Sequence, residues 1–135
     1  MRIYFAGSIR GGREDVELYG QIVDLLSAHG HVLTEHVGQL DHGEDDLSDE
    51  AIFQRDMEWL DQADAVVAEV TVPSHGVGYE IARAETLGKP TLCLYRPDAG
   101  RSLSALIAGN PRIRCESYHR LADLPSLFGP FLSRR

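Results

Sequence analysis

Two acidic residues of this sequence stand where a carboxylate can do chemistry. Asp56 lies inside the apolar stripe of a predicted helix, four residues after Ile52 and four before Leu60. A charge on the core-facing side of a helix is costly unless it is paired. Asp56 therefore pairs with an arginine, caps a loop, or faces a cleft, where partial burial would favour the protonated form that a general acid needs.

Glu80 is the second acidic candidate, in the predicted first turn of a later helix. Negative charge is favoured at a helix N-terminus, so compensation of the helix dipole alone explains this position. The same field favours an ionised carboxylate, which is a nucleophile at neutral pH. Asp56 and Glu80 together match the pair of carboxylates, one acid and one nucleophile, that cleavage of a glycosidic bond uses.

Two glycine-rich segments precede predicted helices and suit an anion. They read GSIRGG at residues 7–12 and PSHGVGYE at residues 73–80. Backbone N–H groups and the following helix N-terminus favour a phosphate at such loops. Neither segment has the spacing of a dinucleotide-binding or P-loop fingerprint, and each is also explained as an ordinary turn. Two such loops side by side favour a phosphate or sugar-phosphate site.

Other titratable residues compete with this pair or surround it. Asp64 falls at a predicted strand start, far from the carboxyl ends, whereas Glu69 lies near the end of the same strand and stays a competitor. We expect His36 and His75 to line the pocket. The six histidines have no metal-ligand spacing, so we expect neither a metal nor another cofactor. The acidic stretch at residues 41–50 is interpreted as a solvated loop or a lid.

The apolar residues alternate between strand and helix patterns along the chain. We predict strands at residues 2–9, 31–37, 63–70, 90–95 and 113–117, and helices at residues 13–29, 48–62, 79–87, 102–108 and 121–131. This alternation predicts one doubly wound α/β domain over residues 1–135, Rossmann-like or flavodoxin-like, with a five-stranded, mostly parallel sheet. The first and third strands are the expected central neighbours, so ligands should bind at the loops that follow them, 7–12 and 71–78.

Composition narrows the classes of function. The chain has 135 residues, a net charge of −8 at pH 7 and no polybasic stripe, which argues against a nucleic-acid polymer or an anionic membrane as partner. No apolar run approaches the roughly 20 residues of a membrane span, and we expect no signal peptide at the amino terminus. Two cysteines make neither a disulfide framework nor a zinc motif, so we expect a cytoplasmic protein.

The residues singled out above also carry a resemblance. The segments concerned are YFAGSIRGGRED at 4–15, LTEHV at 33–37, WLDQAD at 59–64 after Asp56, VAEVT at 67–71 and GVGYE at 76–80. In this order they resemble the Rcl family of 2′-deoxynucleoside 5′-monophosphate N-glycosidases, within the nucleoside 2-deoxyribosyltransferase superfamily. The resemblance implies a homodimer that hydrolyses the N-glycosidic bond of a deoxynucleoside monophosphate. The products would be a free base and 2-deoxyribose 5-phosphate.

The resemblance also implies roles for single residues. Glu80 matches the family's nucleophile, Asp56 the residue that protonates the departing base, and Tyr4 the tyrosine beside the sugar and the nucleophile. The positions that match the surroundings of the 5′-phosphate are Ser8, Arg10, Ser74 and Gly76, and those that match further pocket walls are Gly7, Ile9 and Gly78. Ser104 matches a serine that the family supplies from the neighbouring subunit.

Departures from the family leave the preferred base open. Ala6 stands where members carry cysteine, His75 replaces a small apolar residue, and segments 38–48 and 52–55 differ. Two rival functions stay open as well: a deoxyribosyltransferase that moves the sugar between bases, and a non-catalytic nucleotide-binding module. A second nucleobase as acceptor distinguishes the transferase. The costly position of Asp56 argues against the binding module, which has no use for it.

Overall fold

Strands and helices alternate along the chain, as the apolar pattern predicts. The structure, a computed structural model, describes residues 1–9, 15–38 and 47–133. The strands of these ranges are β1 (Arg2–Ala6), β2 (His31–Val32), β3 (Ala65–Glu69), β4 (Thr91–Tyr95) and β5 (Arg114–Ser117). Their helices are α1 (Val16–Ser27), α2 (Asp49–Gln62), α3 (His75–Thr86), α4 (Ala105–Ala108) and α5 (Pro125–Leu132).

The strands form one parallel sheet in the order β2-β1-β3-β4-β5. Ile3 of β1 lies beside Val32 on one side and beside Ala65 on the other, so β1 and β3 are central neighbours. The chain leaves β1 toward one edge of the sheet and leaves β3 toward the other. This is the topological switch point at which doubly wound folds bind ligands. The predicted fold class is confirmed.

Helices cover both faces of the sheet, so each strand alternates between two cores. On one face Ile3, Phe5 and Val67 pack with residues of α1 and α5. On the other face Tyr4 packs with residues of α2 and α3. Burial on both sides explains why β3 is apolar at nearly every position. The exception is Glu69 at its carboxyl end, which is fully buried.

Serine side chains fix the starts of the two helices on the second face. Ser48 Oγ accepts a hydrogen bond from the Ala51 N–H of α2 at 3.1 Å, and Ser74 Oγ accepts one from the Val77 N–H of α3 at 3.3 Å. After α3, Gly88 adopts a φ of +73°, a left-handed conformation that favours glycine. The helix therefore stops where the sequence predicts.

The start of α3 differs from the prediction. The helix begins at His75, four residues before the predicted start at residue 79. The predicted loop contains Gly76 and Gly78, which are poor helix formers and typical of turns. The cap from Ser74 outweighs this low propensity, because it satisfies an N–H group that the first turn would otherwise leave without a partner.

The second strand is shorter than the predicted range 31–37. Thr34 Oγ1 accepts from the Phe5 N–H at 2.8 Å and donates to the Phe5 carbonyl at 2.6 Å. The side chain thereby replaces the backbone ladder that a longer β2 would make with β1. The chain then forms a 3₁₀ turn at Glu35–Gly38. Of the predicted loop 38–48, residues 39–46 lie outside the described ranges.

The last predicted helix is divided in two. Proline has no N–H group and suits the first position of a helix, so α5 begins at Pro125 and a separate 3₁₀ turn at Leu121–Asp123 precedes it. No helix within the described ranges is long and apolar enough to cross a membrane.

Candidate active site

A cleft of about 680 Å³ opens at the carboxyl ends of β1 and β3, between α2 and α3. Gly7 and Ile9 line it from the segment after β1, Asp56 lines it from α2, and Glu80 lines it from α3. Asp56 and Glu80 also share a smaller cavity, which the end of β1 borders. The fold therefore brings the two predicted carboxylates together, beside the switch point of the sheet.

Glu80 is held by a buried tyrosine. The Tyr4 hydroxyl donates a hydrogen bond to Glu80 Oε2, and the Tyr4 side chain is fully buried on β1. Burial, followed by the negative charges of Glu80 and Asp56, raises the pKa of Tyr4 well above its ordinary value. Tyr4 therefore stays protonated at neutral pH. A donor of this kind stabilises the ionised carboxylate and fixes its direction.

The source of this stabilisation differs from the predicted one. Because α3 begins at His75, Glu80 falls in the second turn of the helix and not in the first. The field of the helix dipole falls off beyond the first turn. The prediction that Glu80 lies in the first turn is therefore wrong, and the hydrogen bond from Tyr4 is the contact that favours its ionised form.

The apolar stripe of α2 lines the cleft in its first half and the core only at its end. Leu60 is buried, whereas Ile52 and Met57 are half-buried and Phe53 is 50% exposed. Ile52, Phe53 and Met57 line the cleft together with Asp56, whose side chain is 21% exposed. A carboxylate in this stripe therefore meets the cavity and avoids the desolvation that a position in the core would impose.

Arg55 joins Asp56 to its aromatic neighbours. Its Nη2 and Nε lie 2.9 Å and 3.0 Å from Asp56 Oδ1, and its Nη2 lies 3.3 Å from His36 Nε2. The guanidinium also lies over the Trp59 ring, 4.8 Å from its centroid. A guanidinium only donates, so the contact with His36 is a hydrogen bond when the histidine is neutral with its proton on Nδ1. Two of the expected alternatives for Asp56, an ion pair with an arginine and a position facing a cleft, are therefore both observed.

The segment after β1 packs closely on Tyr19 of α1. A Cβ atom on Gly7 would lie 2.9 Å from the Tyr19 ring, so glycine permits this approach. The Ser8 N–H donates to the Tyr19 hydroxyl at 3.2 Å. The Ser8 side chain is buried and does not line the cleft, and its Oγ has no hydrogen-bond partner in the described part of the chain. Arg10, also predicted here, lies outside the described residues.

The amino end of α3 faces the cleft. Ser74, His75 and Gly76 line the cleft, and the Ser74 hydroxyl caps the helix. N–H groups at the start of a helix favour an anion. The second glycine-rich segment therefore presents a helix N-terminus, in place of the predicted open loop, to the cleft that Asp56 and Glu80 line.

Gly78 and Ser104 lie in a different cavity of about 490 Å³, between α3 and the segment that leads into α4. Both line this second cavity, and neither lines the cleft. Ser104 Oγ accepts from the Leu106 N–H at 3.3 Å, and Leu106 is 85% exposed. Within one chain, these two predicted site residues are thus separated from Glu80.

Comparison with known proteins places this constellation in a family. The model of the nucleoside 2-deoxyribosyltransferase family matches residues 3–113, a range that contains Tyr4, Asp56, Glu80 and both glycine-rich segments. This chain belongs to the nucleoside 2-deoxyribosyltransferase family. The resemblance carried by the motifs is therefore confirmed.

Relatives in the family bear names that concern nucleotide hydrolysis. A putative 2′-deoxynucleoside 5′-phosphate N-hydrolase 1 of Nematostella vectensis is 50% identical over 138 residues, which cover 98% of this chain and 94% of the relative. The 5-hydroxymethyl-dUMP N-hydrolase of Mus musculus is 59% identical over 111 residues, which cover 79% of this chain and 64% of that protein. The first of these similarities, which covers nearly the whole chain, extends over both predicted carboxylates and both glycine-rich segments.

Two solved structures of the family's fold resemble this one. The CMP N-glycosidase of Clostridium botulinum has a TM-score of 0.70 at 17% identity and covers 96% of this chain and 99% of its own. A 2-deoxyribosyltransferase of Bacillus psychrosaccharolyticus has a TM-score of 0.66 at 20% identity and covers 92% and 90%. At these identities the likeness concerns the fold alone.

The competing carboxylates make contacts away from the cleft. Asp64 Oδ2 accepts from the Arg2 N–H at 2.7 Å, at the amino end of the sheet. Glu69 is fully buried, and four groups donate to it: the Thr71 N–H at 2.8 Å, the Thr71 hydroxyl at 3.0 Å, Arg96 Nε at 3.1 Å and the Tyr118 hydroxyl. A carboxylate so enclosed is part of the protein's internal structure, and it does not line the cleft.

Sequence reasoning missed two aromatic residues of the cleft. Phe53 of α2 and Tyr79 of α3 are each 50% exposed, and their ring centroids lie 6.3 Å apart. Phe53 precedes Asp56 by three residues, and Tyr79 directly precedes Glu80. Large aromatic residues beside both carboxylates were the signal that could have identified them. Exposed rings on both walls suit a planar ligand.

Proposed function

We propose that this protein hydrolyses the N-glycosidic bond of 2′-deoxynucleoside 5′-monophosphates. The observation that carries the proposal is the meeting of Asp56 with the Tyr4–Glu80 pair at one cavity beside the cleft. Relatives at 50% and 59% identity, named as N-hydrolases of deoxynucleotides, support the same reaction. The products are a free base and 2-deoxyribose 5-phosphate.

In the proposed mechanism Glu80 is the nucleophile. Its carboxylate bonds to C1′ of the sugar as the C1′–N bond breaks, through a transition state that resembles an oxocarbenium ion. Asp56 gives its proton to the departing base. Water then attacks C1′, returns a proton to Asp56 and releases Glu80. Tyr4 keeps the Glu80 carboxylate oriented throughout.

Asp56 must hold a proton beside a cation in this mechanism. Arg55 Nη2 and Nε lie 2.9 Å and 3.0 Å from Asp56 Oδ1. In the proposal Arg55 fixes the direction of the carboxyl group, so that the proton is delivered toward the cavity that Asp56 shares with Glu80.

We assign the 5′-phosphate to the amino end of α3 and the segment after β1. The phosphate-binding residues of the proposal are Ser8, Arg10, Ser74 and Gly76, with Gly7 and Ile9 as further walls. Gly78, also predicted as a wall, lines the second cavity instead. The helix N-terminus at the cleft supports this assignment, and so does the buried hydroxyl of Ser8, which has no partner among the described residues. Tyr4 and Ile9 are the proposed wall against a 2′-hydroxyl.

We also propose that the enzyme acts as a homodimer in the cytoplasm. Ser104 lies at a second cavity beside exposed Leu106, where it is accessible to a neighbouring subunit. In the proposed dimer Ser104 binds the phosphate of the neighbour's site, as the family resemblance implies. Cys93 and Cys115 carry free thiols, which agrees with a reducing compartment. Sedimentation of the wild type and of Leu106→Glu tests the dimer.

Release of base from a panel of nucleotides tests the proposed reaction. The panel contains deoxynucleoside and ribonucleoside 5′-monophosphates, including 5-hydroxymethyl-dUMP, and free deoxynucleosides, with the released base followed by chromatography. We expect release from deoxynucleotides alone, and its loss in Glu80→Ala and Asp56→Asn. Glu58→Ala, on the exposed side of α2, is the matched control.

Three outcomes would redirect the proposal. Equal release from ribonucleotides would remove the proposed selection at C2′. Transfer of the sugar to an added second base, faster than hydrolysis, would favour the transferase. Binding of nucleotides without release of base from any of them would leave a nucleotide-binding module.

A further inference from the structure

Arg96, at the carboxyl end of β4, connects two carboxylates on the face of the sheet opposite Glu80. Its Nε lies 3.1 Å from Glu69 Oε2, and its Nη2 donates to Asp15 Oδ2. The side chains of Arg96 and Asp15 are 22% and 18% exposed, and that of Glu69 is fully buried. The planar guanidinium has donors on both sides, so one arginine can bind both acids.

Asp15 has an unusual role for its position. It is the N-cap residue of α1, yet its side chain makes no capping hydrogen bond. An aspartate at this position ordinarily accepts from the second or third N–H of the helix. Here the carboxylate binds Arg96 instead. The start of α1 is thereby connected to β3 and β4 through Arg96 and Glu69.

The same first turn of α1 also holds the wall of the cleft. The Tyr19 N–H bonds to the Asp15 carbonyl at 2.9 Å, so the two residues move together. The Tyr19 hydroxyl accepts from the Ser8 N–H, and its ring packs against Gly7. A displacement of this turn is therefore passed on to the segment 7–9, in which Gly7 and Ile9 line the cleft.

We infer that Arg96 is a positioning residue for the phosphate side of the cleft, although it is not among the described residues that line the cleft. Through Asp15 it fixes the first turn of α1, and through Tyr19 this turn fixes segment 7–9. Arg96 also offsets one of the two negative charges of Asp15 and Glu69. Without it, two carboxylates would lie behind the wall and repel a phosphate. The inference rests on the proposed function.

Steady-state kinetics of the full chain with 5-hydroxymethyl-dUMP test this inference. In Arg96→Gln we expect KM, and the inhibition constant of inorganic phosphate, to rise about tenfold, because a charge-assisted anchor is lost. The value of kcat should change less than about twofold, since Glu80 and Asp56 stay in place. Arg96→Lys keeps the positive charge but loses the planar guanidinium that binds both carboxylates, so we expect an intermediate KM.

Two further variants separate positioning from general stability. Arg114→Gln removes an arginine–carboxylate pair on β5, where Arg114 Nε lies 2.9 Å from Glu116 Oε2, and should leave KM unchanged. Asp15→Asn loosens the contact with Arg96 and leaves the buried Arg96–Glu69 pair. Asp15→Asn should raise KM as Arg96→Gln does. It therefore tests the inference even if Arg96→Gln fails to fold.

Amide hydrogen exchange gives a readout that needs no activity. In Asp15→Asn we expect faster exchange in segments 7–9 and 15–19, with β4 and β5 unchanged. Arg96→Gln also removes the cation beside the buried Glu69 carboxylate, so there we expect the increase in exchange to be larger in these two segments than in β4 and β5. Wild-type KM and exchange in both folded variants would overturn the inference, and so would equally faster exchange in all segments of Asp15→Asn or a loss of kcat alone. If the wild type releases no base, the proposed function fails, and exchange still decides whether Arg96 anchors the segment.

Discussion

Two carboxylate–tyrosine pairs lie at the carboxyl edge of the sheet, one on each face, and they are used differently. Tyr4 donates to Glu80, and Tyr118 donates to Glu69. Glu69 is fully buried and accepts from three further donors, one of them Arg96. Glu80 is half-buried and lines a cleft. A tyrosine–glutamate pair is therefore enclosed in the protein interior on one face of the sheet and borders a cleft on the other.

The comparison teaches that burial alone does not identify a reactive carboxylate. A buried acid requires partners that replace its hydration, and those around Glu69 do so within the protein. Its oxygens are enclosed, so it has no contact with a substrate cavity. Tyr4 fixes the direction of the Glu80 carboxylate, and Glu80 lines the cleft. Four predictions test or sharpen this difference.

The largest effect concerns the cleft. We expect Glu80→Gln to lower kcat by a factor on the order of 10⁴, because the amide cannot attack C1′. The thermal midpoint should stay within a few degrees of the wild type, since Glu80 is only half-buried. Turnover of a deoxynucleotide and a melting curve check both parts. Turnover within tenfold of the wild type would remove Glu80 from the proposed mechanism.

The matching change on the other face should act on stability. Glu69→Gln removes the buried carboxylate from its ion pair with Arg96. Breaking a fully buried pair costs about 3–5 kcal/mol, and we expect a smaller loss here because Arg96 is 22% exposed and keeps Asp15. Urea denaturation should show this loss in the free energy of unfolding. At saturating substrate, the folded variant should keep kcat within about tenfold of the wild type. A stable Glu69→Gln without turnover would reverse the assignment of the two faces.

The sequence predicts the position of both carboxylates in the fold, but it does not show which of them is enclosed and which faces the cleft. Periodicity gives the order of strands and helices, and the switch point then brings the segments after β1 and β3 together. Glu69 and Glu80 could not be ranked, since two of the partners that enclose Glu69, Arg96 and Tyr118, come from the segments that follow β4 and β5. Such contacts between distant segments leave no local pattern.

Predictions from local sequence also failed where the contacts of one side chain outweigh the helix propensity or the usual spacing of contacts along a helix. Gly76 and Gly78 predict a loop, and the Ser74 cap makes the segment helical. Arg55 and Asp56 are adjacent in α2, and adjacent residues do not ordinarily face each other on a helix. The long arginine side chain nevertheless reaches round to Asp56 Oδ1.

The two tyrosines provide a smaller, paired test. Tyr4→Phe removes a hydrogen bond to a charged group, worth about 1.5–3 kcal/mol, so we expect kcat to fall about ten- to a hundredfold. Tyr118→Phe removes the corresponding bond to Glu69 and should lower the free energy of unfolding by about 1–3 kcal/mol, with little change in kcat. Turnover assays and urea denaturation of both variants should give opposite patterns. The same pattern in both would mean that the two faces are not functionally distinct.

The smallest effect is a loss of stability at high pH, to which both faces contribute. Burial, followed by the charge of Glu69, raises the pKa of Tyr19 from 10.0 to about 12, and burial also raises the pKa values of Tyr4 and Tyr118. Below pH 10 these phenols are protonated in both states and do not affect the pH dependence. Above it, the unfolded chain loses protons that the folded chain keeps, so the free energy of unfolding falls as pH rises.

Urea denaturation from neutral pH to about pH 11 checks this window, and Tyr19→Phe isolates one contribution to it. We expect the variant to have a shallower decline above pH 10, because a phenylalanine has no proton to lose in the unfolded state. Tyr95→Phe is the control, since the Tyr95 hydroxyl donates to the Arg101 carbonyl in an exposed position. A decline of equal slope in the wild type and in Tyr19→Phe would show that folding does not raise the pKa of Tyr19, which would contradict the burial of its hydroxyl between α1 and the segment after β1.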